Sequence, residues 1–239
     1  MGRSKDLRVH LPDWITRIFP LAIWRIPSGE KVLYLTFDDG PIPNITPAIL
    51  EILQNKGIKA TFFCVGENVF KYPEIFKQIK DEGHSVGNHT FNHLQGIKCS
   101  TEKYFNNIEK ANEYIGSNMF RPPHGWLRRA QYRKIARHYK IVMWDVISCD
   151  YDSSLSPKKC YENVVNNIRD GSIITFHDSI KAEKNVLEAL PAVIDKLTAR
   201  GYEFRKLEFP QLYPLSRKER IKNRIKDTKN NINRLMKGA

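Results

Sequence analysis

Two adjacent carboxylates, Asp38 and Asp39, follow the apolar run Val32-Leu33-Tyr34-Leu35 and precede Gly40-Pro41. An apolar run ending in two acids and a turn reads as a strand that delivers charge to a loop, although Asp-Gly-Pro is also ordinary turn chemistry. His89 and His93 stand four residues apart, so a single helical turn would put both imidazoles on one face. With a third ligand from elsewhere, such a pair completes the open site that catalytic zinc uses. Further reactive types stand at Arg121, before two prolines, at His124, at Asp150-Tyr151 and at His177. An activated water, a carboxylate base and an imidazole acid together suit hydrolysis of an amide or ester. Each residue also has a plainer reading: a capped strand end, a charge on a rigid turn, a satisfied histidine.

The elements that must position these groups follow from periodicity and punctuation. Strands are predicted over 31–37, 58–65, 84–87, 119–121, 141–146, 172–176 and 202–207. Helices are predicted over 46–56 with Thr46 as N-cap, and over 73–83, 101–115, 128–138, 157–169 and 183–200. Strands alternating with helices at short connections imply parallel βαβ units around one sheet, either open or closed into a barrel. Nearly every reactive residue named above falls just past the carboxyl end of a strand, the rim where parallel α/β folds assemble sites. No glycine-rich phosphate loop follows any strand, which counts against a nucleotide-binding variant.

Composition adds bounds. With 239 residues, 41% hydrophobic and 27% charged, the chain has ordinary globular proportions and could form one domain. The net charge is +13, of which +7 falls on residues 211–239. There Ile221, Ile225, Ile232 and Leu235 recur at helical spacing among basic residues, a pattern that fits weak membrane-surface contact or a helix docked on the barrel. The tail has Tyr213 as its one aromatic, so specific nucleic-acid binding is not expected. The four cysteines are scattered, which suggests reduced thiols rather than disulfides or a cysteine metal site. No export signal is evident, and the run 14–24 is too short and broken to span a bilayer, though it could serve as an interfacial segment. The expected location is cytoplasmic or membrane-peripheral.

These residues, in this order, resemble the NodB-type polysaccharide deacetylases, carbohydrate esterase family 4, over roughly residues 30–208. The family's TFDDG stands at 36–40, H[S/T]xxH at 89–93 and RxPxG at 121–125. Its Asp-Trp element corresponds to Asp150-Tyr151 and its LxH to Thr175-Phe176-His177. The resemblance implies a distorted (β/α)7 barrel over 31–208, between an N-terminal lead-in (1–30) and a basic helical C-terminal extension (209–239). It implies a divalent metal, Zn²⁺ before Co²⁺ or Ni²⁺, held by Asp39, His89 and His93. Asp38 would be the general base, held by Arg121, and His177 the general acid, tuned by Asp150. The backbone N–H of His124 would stabilise the oxyanion, and Tyr151 would line the substrate groove. Tyr at 151, His at 124 and Thr at 175 depart from the usual Trp, Tyr and Leu, and all three are expected in the groove walls. The implied activity is N-acetyl removal from an aminosugar or polysaccharide. Alternatives are a lipid-linked acyl or formyl aminosugar, O-acetylated xylan, and a non-catalytic carbohydrate-binding role.

Overall fold

The run that carries the two acids is the central strand of a nine-stranded sheet in the computed structural model, which describes residues 8–10 and 12–209. The expected C-terminal helix lies outside the described residues. In chain order the elements are α1 (Asp13–Thr16), β1 (Ala22–Ile23), β2 (Val32–Asp38), α2 (Ile45–Asn55), β3 (Thr61–Cys64), α3 (Gly66–Lys71), α4 (Pro73–Asp81) and β4 (Ser85–Asn88). There follow α5 (Thr101–Ile115), β5 (Met119–Phe120), α6 (Arg129–Ile135), β6 (Lys140–Val142), β7 (Val146–Ile147), α7 (Pro157–Val165), β8 (Ile173–His177), α8 (Glu183–Ala199) and β9 (Glu203–Arg205).

The strands pair in the order β1-β6-β5-β4-β3-β2-β8-β7, with β9 beside the first half of β2, and every pair is parallel. In a flat sheet, six inter-strand steps of about 4.8 Å would hold β6 and β7 about 29 Å apart. The chain from Val142 to Val146 reaches only about 14 Å. The sheet must therefore curl until its ends meet, and the result is a distorted (β/α)7 barrel.

The single strand expected over 141–146 is thus two strands. It breaks at Met143–Asp145 because the Val142 and Met143 carbonyls accept from the Arg121 side chain (3.2 and 3.0 Å). Part of the lead-in joins the sheet through β1, and Arg25 bridges to Ser172 at the foot of β8. The helix expected to be capped by Thr46 begins at Ile45, and the Thr46 hydroxyl is engaged elsewhere. The long helix α5 starts and stops as its sequence suggests, with Ser100 accepting from the Lys103 N–H and Gly116 closing it in the left-handed conformation. Helix α3 has no counterpart among the helices that the sequence predicts. Among the described residues no helix is long and apolar enough to cross a membrane.

Alternation along β2 sorts its residues by face. Leu33, Leu35 and Phe37 pack in one cluster with Ile49 and Leu53 of α2 and with Leu190 and Val193 of α8. Thr36 and Asp38 point the other way, toward Arg121. That inner face is floored by Phe63, Met119, Val142 and Ile173. Because both faces of β2 are covered, Leu35→Ala should leave a cavity and cost about 2–5 kcal/mol, read as a lowered midpoint in urea denaturation.

Candidate active site

Asp38 ends β2, and the chain then turns sharply at Asp39, whose φ of 92° is unusual for a residue with a side chain. Several bonds hold this turn. Asp39 N–H donates to Phe63 O (3.3 Å), Asn68 Nδ2 donates to Asp39 O (2.8 Å), and Gly40 N–H donates to Asp178 Oδ1 (2.8 Å). Asp178 Oδ2 accepts from the Thr46 hydroxyl at 2.7 Å, which is where the expected helix cap has gone. Burial pushes the Asp178 carboxyl up to about 8, against the pull of those two donors. A Cβ on residue 40 would lie 1.8 Å from Asp178 Oδ2, so the turn requires glycine.

His89 and His93 are not on a helical turn. They flank a loop in which Thr90 (φ 67°) and His93 (φ 54°) adopt left-handed backbone. The buried Asn88 side chain shapes that loop, donating to Ile108 O and accepting from Thr90 N–H (2.9 and 2.8 Å). His89 Nδ1 lies 2.8 Å from Arg121 O, a carbonyl that only accepts, so Nδ1 carries the proton and Nε2 keeps its lone pair. Burial holds the His89 pKa down to about 4, which keeps the ring neutral.

One ligand atom from each of Asp39, His89 and His93 lies within 4.8 Å of the others. Asp39 Oδ1 is 3.2 Å from His93 Nε2 and 3.7 Å from His89 Nε2, yet it is buried without an aligned hydrogen bond. Burial opposes its charge, but His93, His177 and His89 hold its carboxyl below the usual carboxylate range. A carboxylate oxygen lacking a donor beside two imidazole nitrogens, one of them the unprotonated Nε2 of His89, is the chemistry of a cation site, and a divalent metal fits it.

Beside this cluster stand two buried ion pairs. Arg121 Nη1 donates to Asp38 Oδ1 (2.6 Å) and to Thr36 Oγ1 (2.8 Å), and its guanidinium lies 4.0 Å from the centre of the Phe63 ring. His177 Nδ1 meets Asp150 Oδ1 at 2.7 Å, while His177 N–H donates to Asp150 Oδ2 at 2.8 Å. Burial works against charge on His177, but Asp150 outweighs it and, with Asp39 and Asp38, lifts the pKa to about 9. Asp38 and His177 are register partners on β2 and β8. The His124 ring rests edge-on against His93 (4.9 Å), and Tyr151 likewise against His177 (5.0 Å). Asp38, Asp39, His89, His93, Arg121, His124, Asp150, Tyr151 and His177 therefore gather at this rim.

One expected wall residue does not belong to the groove. Thr175 is fully buried, with its hydroxyl 3.1 Å from Thr36 Oγ1, beneath Arg121. The sequence assigns no role to Asp178, Thr36 or Asn88, because each also has a partner distant in sequence. Asp178 carried the one available hint, an acid directly after His177.

The barrel and its rim place the chain among α/β hydrolytic enzymes with a cation site. The profile described as "Polysaccharide deacetylase" matches residues 25–144. A peptidoglycan-N-acetylglucosamine deacetylase of Bacillus cereus is 33% identical over 188 residues, covering 76% of this chain and 88% of that one. A chitooligosaccharide deacetylase of Azorhizobium caulinodans is 34% identical over 206 residues, covering 77% and 96%. The crystal structure of the Bc1960 peptidoglycan N-acetylglucosamine deacetylase superposes with a TM-score of 0.76 at 32% identity, covering 82% of this chain and 94% of that one. The chain belongs to the polysaccharide deacetylase family and is a carbohydrate deacetylase, and membership implies a divalent metal.

Because Asp178 leaves no room for a methyl group on residue 40, Gly40→Ala should lower the thermal midpoint and weaken metal binding by about 10–100-fold, read by titration of the metal-stripped protein.

Proposed function

We propose that the chain hydrolyses the N-acetyl group of N-acetylglucosamine units in a glycan, releasing acetate and a free amine, with Zn²⁺ held by Asp39, His89 and His93. The supporting observation is the register pairing of Asp38 with His177 beside that cluster, each clamped by a buried partner of opposite charge. The Bacillus and Azorhizobium relatives support the substrate, since peptidoglycan and chitooligosaccharides share this amide-bearing unit. Zn²⁺ bound there supplies Lewis-acid polarisation of the carbonyl and lowers the pKa of water from about 16 toward about 7.

The chain's own groups do the rest. Arg121 holds Asp38 by Oδ1, which leaves Oδ2 to take a proton from the attacking water. His177 keeps Nδ1–H on Asp150 and gives the proton on Nε2 to the departing amine. The N–H of His124, on a residue whose ring touches His93, donates to the developing oxyanion. Tyr151 lines the groove beside the acid.

Acetate release from N-acetylglucosamine oligomers by metal-stripped protein, with and without added Zn²⁺, tests the reading. Asp38→Asn and His177→Ala should each lower turnover by about 10²–10⁴-fold while metal content survives. Loss of metal in Asp38→Asn would move that residue into the ligand set. No release by metal-loaded protein would remove the N-acetyl substrate.

The pH profile gives a second test. His177 must be protonated to act as the acid, so turnover should fall as pH rises through its pKa, raised toward about 9 in the metal-free chain. A bound cation offsets the shares from Asp39 and Asp38 and brings that limb down. Asp150→Asn removes the largest raising influence, so the alkaline limb should move to lower pH than in the parent enzyme.

A further inference from the structure

Exposed large apolar side chains are not spread evenly over the described residues. Trp14 (64% exposed), Ile18 (49%) and Leu21 (58%) fall within eight residues of the lead-in. Exposed Arg17 stands among them with no ion-pair partner among the described residues. Beside this stretch opens a cleft of about 550 Å³ lined in part by Arg17, Trp24, Arg25, Asp145 and Arg169. Its one carboxylate is occupied, since Asp145 accepts from Arg169 Nε and Nη2 (3.1 and 2.8 Å) and from the Ser172 hydroxyl. The Arg25 side chain donates to a main-chain carbonyl, Asp170 O (3.1 Å), and has no carboxylate partner among the described residues. The lining thus offers donors in search of an anion, next to apolar groups in search of cover.

We infer that this face docks on an anionic phospholipid surface, with Trp14, Ile18 and Leu21 entering the headgroup boundary and Arg17 and Arg25 meeting lipid phosphates. Tryptophan and arginine side by side are interfacial chemistry: the apolar bodies enter the acyl boundary while the charged heads stay with the phosphates. A soluble phosphate compound would leave the three apolar side chains uncovered. A second copy of the chain would set arginine against arginine. The chain's own segment 211–239 is itself basic, so it matches an anionic surface and not this face. The same stretch is anchored on the barrel, because Phe19, Ala22 and Trp24 share a small apolar crevice with Gly125, Leu127, Tyr132 and Ile141.

The test uses the full chain in co-sedimentation with phosphatidylcholine vesicles, with and without about 30% phosphatidylglycerol, at about 0.1 M and 0.5 M salt. Binding should require the anionic lipid and weaken with salt. The triple variant Trp14→Ser, Ile18→Ser, Leu21→Ser should bind about ten-fold more weakly or worse. It should keep the parent's acetate release from soluble chitooligosaccharides, which separates failure here from failure of the deacetylase reading. Arg17→Glu is the second variant should the triple fold poorly, and it should also bind more weakly. Three outcomes overturn the inference: no binding to anionic vesicles, variant binding equal to that of the parent, or a concentration-dependent dimer that the triple variant abolishes.

Discussion

A buried guanidinium governs the rim. Arg121 is wholly enclosed, and three of its nitrogens donate to Val142 O, Thr36 Oγ1, Asp38 Oδ1 and Met143 O while its plane covers Phe63. An unpaired charge there would cost several kcal/mol, so the surrounding groups must hold their positions for the fold to survive. The same residue's carbonyl fixes the tautomer of His89. One residue therefore aims a carboxylate with its side chain and an imidazole with its backbone. It also sets the barrel's shape, since the two carbonyls it takes are those that end β6 and separate it from β7.

The opposite edge is governed by a carboxylate. Asp178 grips Gly40 and Thr46, and its N–H donates to Asp38 O at 3.0 Å, so the strand that carries His177 also clamps the turn that carries Asp38 and Asp39. Strained backbone gathers at the same place: Asp39, Thr90, His93 and His124 all have positive φ. Such conformations persist only where surrounding bonds over-determine them, and here those bonds are on view.

Much of this was legible in the sequence because the reacting groups come in short strings at strand ends, and because apolar runs mark strands covered on both faces. What escaped reading depends on long-range bonds to side chains. Thr46 looked like a helix cap because Pro47 follows it, but its partner lies 132 residues away. The run 141–146 looked like one strand because nothing local shows that Arg121 will claim its carbonyls. The four-residue spacing of His89 and His93 suits a helical turn, yet an Asn88-held loop with left-handed residues meets it equally well. Thr175 stood where a groove leucine was expected, and only the inward face of β8 shows that its hydroxyl belongs beneath Arg121.

The two aromatic rings at the rim are attached differently from the buried charged groups beside them. His124 and Tyr151 are tied to those groups chiefly by one ring-edge contact each, whereas Asp38, Asp39, His89, Arg121, Asp150 and His177 are bound into shared networks. Mutational drift can therefore reshape these two positions one at a time without disturbing the reaction. In such a scaffold substrate range is free to diversify among descendants while the chemistry stays frozen, and the non-standard residues at 124 and 151 are where that divergence would be expected to register first.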